Sequence, residues 1–239
     1  MRGLGTVINA FAIIAGGVLG ILCKRFLKES YQDTITKATG FSVVFLGIAG
    51  TLSKMMHVES DGSLSTNGSM IMILSLALGA LLGEVVDLDA KVERFGEWLK
   101  HKTGSDGDNQ FVNGFVSASL TVSIGAMAVI GSIQDGIYGD HSTLIAKAIL
   151  DFIIIMIMAS SMGKGCVFSF LPVAVLQGIM TALAVVLSGF MTEAVLNHIS
   201  LVGSILIFCV GINLVWSRTI KVANLLPSLL VVVILTGII

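Results

Sequence analysis

Apolar runs long enough to cross a bilayer follow one another along almost the whole chain. They cover residues 3–23, 39–54, 70–86, 111–133, 143–162, 165–189, 199–216 and 222–239. A spanning helix needs about 20 mostly apolar residues, so these read as eight transmembrane helices, numbered here as spans 1 to 8. Hydrophobic residues make up 55% of the 239 and charged residues only 12%, with a mean hydropathy of +0.97. A soluble domain is about 25% charged. The shortage excludes a soluble globular fold, a disordered chain and a nucleic-acid-binding surface. The connecting segments are too short for a separate soluble domain. Residues 1–239 therefore read as one all-α polytopic membrane domain whose function lies within the bilayer. Span 1 is expected to stay as a helix rather than be cleaved as a signal. Basic residues follow it rather than precede it, no A-x-A site is present, and Leu22 before Cys23 does not suit a lipoprotein site.

Charge orients the spans. Of the fourteen Lys and Arg residues, eleven fall on one side of the eight-span arrangement. Arg2 and Lys54 fall on the other, and Lys147 lies inside span 5. Positive charge collects on the cytoplasmic side, which puts both termini outside the cytoplasm of a bacterial inner membrane. Residues 87–103 are amphipathic. Leu88, Val92, Phe95 and Leu99 share one helical face with Trp98 beside it, while Lys91, Arg94, Glu97 and Lys102 face the other way. Two readings stay open: a helix lying in the inner leaflet interface, or one packed on its own bundle. The stretch Leu27, Tyr31, Ile35 repeats the pattern more weakly. Cys23, Cys166 and Cys209 form neither a CxxC nor an even set, so they read as small packing residues rather than disulfide or zinc ligands.

The glycines divide into two groups. Gly16 with Gly20, and Gly79 with Gly83, are small residues four apart that let helices approach closely, within the bundle or between copies of the chain. Others look like breaks. Span 4 carries Ser117, Ser119, Thr121, Ser123 and Ser132 together with Gly125 and Gly131. Such a density suggests a discontinuous or re-entrant helix lining a polar cavity, because irregular backbone at membrane depth survives only when buried in protein or facing water. The plainer alternative is hydroxyls bonded to their own helix backbone. Pro172, in span 6, is expected to bend that helix. Span 2 has Phe45-Leu46-Gly47-Ile48 and span 7 has Cys209-Val210-Gly211-Ile212. This faint match would relate spans 1–3 to spans 6–8 as an inverted repeat, a feature of many secondary transporters.

Lys147 and Asp151 lie four apart on one face of span 5, where each costs ~2.5–3.5 kcal/mol on insertion scales. Lys147, nearer the outer end, is expected to be able to snorkel. Asn9, Gln177, Asn213 and Asn224 supply the remaining amides in or beside the spans. They read either as interhelical glue or as ligands for a cation or polar solute. His57, His141 and His198 with Glu59, Asp61, Asp140 and Glu193 read as solvated outer loops rather than a metal site. No GxSxG, HExxH, P-loop or GxGxxG is present, so neither an enzyme nor a bound cofactor or metal is expected.

Residues 124–151 read IGAMAVIGSIQDGIYGDHSTLIAKAILD, followed by MGKGCVFSFLPVAVLQG at 162–178 and VANLLPSLL at 222–230. With GTVINAFAIIAGGVLG at 5–20, these resemble the bacterial membrane-protein family catalogued as domain of unknown function 554. The resemblance covers nearly the whole chain. It points to Gly125, Gly131, Ser132, Asp135, Gly136, Gly139 and Asp140 as the densest motif and implies an inner-membrane location, without naming a substrate. One position departs from the pattern: Phe152 follows Asp151 where a glycine is expected. The expectation from the residues is a secondary transporter or channel for a small ion or polar solute. Its pathway would be lined by Asn9, Ser117, Ser119, Thr121, Ser123, Gly125, Gly131, Ser132, Asp135, Lys147, Asp151, Gln177 and Asn213. The alternative is a non-transporting scaffold or sensor acting through a partner protein and residues 87–103. The bilayer is the expected surrounding, and the glycine faces suggest a homo-oligomer.

Overall fold

A computed structural model of the chain describes residues 2–24, 29–123, 126–184, 186, 189, 192–216 and 219–238. The helices follow the apolar runs closely. They are α1 (Leu4–Lys24), α2 (Glu29–Met55), α3 (Ser69–Val86), α4 (Leu88–Lys102), α5 (Phe111–Ser123), α6 (Ala126–Tyr138) and α7 (Ser142–Met162). A 3₁₀ helix (Lys164–Ser169) then leads into α8 (Phe170–Ala182), followed by α9 (Glu193–Trp216), α10 (Val222–Leu225) and α11 (Ser228–Ile238). Among the described residues, six stretches are long and apolar enough to cross a membrane, and the pair α5 and α6, bent by 61°, makes a seventh if counted as one span. The apolar run Val222–Ile238 is shorter, and Pro227 divides it. Eight is therefore an approximate count.

Between α2 and α3 the chain forms a small hairpin, β1 (Met56–Val58) and β2 (Leu64–Thr66), with His57 opposite Ser65. Asp61-Gly62 marks the turn, and Gly62 has φ +82°, a conformation that glycine adopts freely.

Glycine decides how the spans pair. On α1, Gly16 and Gly20 lie against the Phe152 and Met156 carbonyls of α7, where a Cβ would come within 2.4 and 2.3 Å. The two helices run parallel. The small residue expected after Asp151 is thus supplied from the facing helix. On α2, a Cβ at Gly47 would stand 2.6 Å from the Phe208 nitrogen. One at Gly211 of α9 would stand 2.6 Å from the Val44 nitrogen, so the two matched glycine motifs meet at one antiparallel crossing. On α3, Gly79 abuts Ser228 and Gly83 abuts Asn224. The glycine pairs that suggested self-association are therefore occupied within a single chain.

The bent pair α5–α6 runs the length of α8. Gly165, before α8, lies against the Phe111 carbonyl, and Gly136 lies against Thr181 near the other end. Span 4 therefore crosses from one end of the bundle to the other instead of turning back. Exchange spans 1, 2 and 3 with 6, 7 and 8, and span 4 with 5. The parallel α1–α7 pair then maps onto the parallel α5–α6 and 3₁₀–α8 pair, while the α2–α9 and α3–α11 pairs map onto themselves. An inverted repeat would produce this pairing. Pro172 does not bend span 6 in mid-helix. It sits in the first turn of α8, where its missing N–H is not needed, and the irregular backbone is the 3₁₀ segment before it.

The amphipathic stretch forms α4, and one face is packed on the bundle. Gly96 and Leu99 are buried, with Gly96 against Phe115 and Val112 of α5. Phe95 and Trp98 stack at 5.7 Å and remain exposed. The weaker stretch around Tyr31 and Ile35 is the first part of α2 rather than a separate helix.

Candidate functional site

Lys147 and Asp151 turn inward from α7, and both are over nine-tenths buried. Lys147 does not snorkel. Its Nζ donates to the Val122 carbonyl at 2.7 Å and to Asp151 Oδ2 at 2.5 Å. Asn9 Nδ2, from α1, donates to the same carboxylate oxygen at 3.0 Å. Val122 belongs to the last turn of α5, whose carbonyls have no helical partner and carry the negative end of the helix dipole. A buried ion pair is thus built across three helices, with the ammonium seated on the end of a broken one.

Besides Ser75, Ser228 and His141, the interior holds further buried polar atoms without a partner among the described residues. They are Asn9 Oδ1, Thr6 Oγ1, Ser119 Oγ, Ser123 Oγ, Ser132 Oγ, Thr181 Oγ1 and both head atoms of Gln177. Ser132 is fully buried and Gln177 is 1% exposed. Since Gly136 lies against Thr181, one turn back along the two parallel helices brings Ser132 and Gln177 to the same level. An unpartnered buried polar group costs about 1–3 kcal/mol, so each of these groups carries a cost that packing alone does not explain. Thr121 is different: its hydroxyl donates to the Ser117 carbonyl at 2.8 Å, which is ordinary helix decoration.

A cavity of about 920 Å³ opens at the end of the bundle where the lysines collect. Lys24, Asp33, Lys37, Asp89 and Trp216 line it, and Val116, Ser117, Leu120 and Ser161 lie along its wall. Lys37 is paired with Asp33 at 2.8 Å, and Lys24 donates to the Ser161 carbonyl at 3.1 Å. Ser117 at the wall and Val122 at the ion pair are five residues apart on α5, about 8 Å.

At the opposite end, Asp135 of α6 is fully buried. Its two oxygens accept from the amides of Gly3 and Gly5 at 2.9 and 3.0 Å. His141 Nδ1 lies 2.9 Å from Oδ1 without the geometry of a hydrogen bond. The carboxylate thus holds the start of α1, where negative charge is favoured. Nearby, the hydroxyl and amide of Ser142 hold the exposed Asp140 carboxyl below its usual range.

The family model described as a protein of unknown function, DUF554, matches residues 4–237. The chain belongs to this family. It is 30% identical over 227 residues to the uncharacterized membrane protein YdfK of Bacillus subtilis, covering 95% of this chain and 93% of the relative. It is 28% identical over 231 residues to the uncharacterized protein YqgA of Escherichia coli, again covering 95% and 93%. No solved structure matches.

In this DUF554 chain the residues singled out from sequence fall into separate groups. Asn9, Lys147 and Asp151 form the buried centre, and Ser119, Ser123, Ser132 and Gln177 are the unpartnered groups of the bundle interior. Ser117 lines the cavity. Asn213 does too, but its amide is already engaged: Oδ1 accepts from Thr219 and Ile220, and Nδ2 donates to the Ile220 carbonyl. Gly131 packs on Thr143 and Leu144. Asp135 anchors a helix, and Gly125 lies outside the described residues. Asn224 joins three elements, donating to Glu84 at 2.6 Å and accepting from the Asp89 amide at 2.7 Å. Beside it, the bond to Glu84 raises the pKa of Lys221. The outer histidines part company: His57 is on the hairpin, while His198 bonds Thr236 at 2.9 Å. Sequence reasoning missed Thr6 and Thr181, which sit one turn from Asn9 and Gln177 and differ from ordinary span threonines only in their tertiary surroundings.

Proposed function

We propose that this protein is a secondary transporter, or a channel, for a small ion or polar solute. One observation carries the reading. A self-neutralised ion pair sits at a helix break in an interior that holds several buried polar groups without a partner among the described residues, and a vestibule reaches to within about 8 Å of that pair along α5. Discontinuous helices near the midplane serve as binding sites in many secondary transporters. The pairing of spans expected from an inverted repeat supports the same reading. With the positive-inside rule, the vestibule faces the cytoplasm of a bacterial inner membrane and both termini lie outside.

Purified protein in proteoliposomes tests this by solute-jump currents and labelled-solute uptake across sodium, potassium, protons, small anions, amino acids and polyols. Wild-type flux should fall at least tenfold in Asp151→Asn and in a Ser119→Ala/Gln177→Ala double variant. Unchanged flux in folded variants would remove the site from this region. A second reading, a non-transporting scaffold or sensor, draws on the exposed Phe95–Trp98 pair of α4. It requires wild-type protein that moves no solute, together with a partner lost in Phe95→Ala/Trp98→Ala.

A further inference from the structure

We propose that Lys147 is a built-in cation: its ammonium holds the position of a dehydrated alkali ion, so that the passenger of the pathway is a net-neutral polar solute. This rests on the transport reading above and narrows its substrate class. In transporters with broken helices, the carbonyl end of a half-helix coordinates Na⁺, and carboxylate oxygens are ligands for hard cations. Here that arrangement is complete, with the Val122 carbonyl at 2.7 Å and Asp151 Oδ2 at 2.5 Å, but the cation is covalently part of α7.

Three further features point the same way. Lys147 and Asp151 sum to zero charge, and Asn9 already donates to the carboxylate oxygen that the ammonium uses. A second cation would meet the ammonium at close range in a poorly screening interior. The buried carboxylate of Asp135, on α6, is already held by two backbone amides at the start of α1. Among the described residues, the unpartnered groups of this interior include neutral ones: the amide of Gln177, able to donate and accept, the hydroxyl of Ser132 and the Asn9 carbonyl oxygen. Such a set suits an uncharged or zwitterionic solute. The tether also means that the cation cannot leave with the passenger.

The test is thermal unfolding of the full-length purified chain in NaCl, LiCl and KCl against choline chloride at equal ionic strength. Wild-type protein should show the same midpoint in all four. Lys147→Met removes the tethered cation and exposes its ligands. It should gain a saturable rise of about 3–6 °C in Na⁺, Li⁺ or K⁺ at ten times the dissociation constant. Adding Asp151→Asn should abolish that rise. Lys147→Gln replaces Lys147→Met if the latter does not fold. A saturable alkali-ion response of the wild type, lost in Asp151→Asn, overturns the proposal. So does a folded Lys147 variant indifferent to every cation. The two readings fail separately. An alkali response of the wild type beside flux that depends on Asp151 sinks only this inference. The expected cation pattern without flux of any solute sinks the transport reading.

Discussion

Asp135 and Gln177 show how a buried polar residue takes its meaning from its neighbours. Asp135 has two backbone amides to satisfy at the start of α1, so its loss strands both. Asp135→Ala should destabilise the protein by about 2–3 kcal/mol, the scale of hydrogen bonds to a charged group, and Asp135→Asn by less. Thermal or denaturant unfolding in detergent would show the difference, and equal midpoints would mean that α1 is not held this way. Gln177 has the opposite character, since neither of its head atoms has a partner among the described residues. Gln177→Leu should raise stability by roughly 1 kcal/mol or more while lowering solute flux. A destabilised Gln177→Leu would indicate a structural amide instead.

Helix pairing rests on close backbone approaches that tolerate no methyl group. A Cβ at Gly83 would fall 1.8 Å from the Asn224 carbonyl oxygen, and one at Gly165 would fall 1.9 Å from that of Phe111. Either alanine variant must push two helices apart. We expect losses of about 3 kcal/mol or more, seen as a lower melting temperature and poor monodispersity in detergent. Gly178→Ala is the control, because nothing lies within 4 Å of its Cβ position. It should be neutral or stabilise by about 0.5–1 kcal/mol. For α4, we expect the exposed face bearing Phe95 and Trp98 to contact lipid headgroups. With Trp216→Phe, Trp98 becomes the sole tryptophan and should be quenched by lipids brominated near the headgroup. Unquenched emission would leave that face to water or to a partner.

Across the whole molecule, the two ends differ in charge and in access. In a cysteine-free background, Gly107→Cys sits in open space beside α4 and α5, and Asp61→Cys sits at the hairpin. An impermeant maleimide should label the first only in inverted vesicles and the second only in right-side-out ones. The reverse pattern would invert the orientation. Ser117→Cys should label with the first, since its side wall faces the vestibule.

Composition and run length alone determined that this is a polytopic α-helical membrane protein, because a chain with so few charges has no other way to satisfy its surface. The start of α3, the limits of α7 and the existence of α4 were legible for the same reason: hydropathy and its period are local properties. The inward ion pair was legible as two charges four apart in span 5. The role of each polar residue was not. Thr121 and Ser119 are alike in sequence, yet one bonds its own helix and the other has no partner. Asn213 and Gln177 are both span amides, yet one closes a loop and the other stands open in the interior. Asp135, read as part of a pathway, caps a helix 130 residues away in sequence. These differences are set by which helices lie alongside one another. That is decided by backbone contacts at glycines such as Gly16, Gly47 and Gly83, which no local pattern specifies.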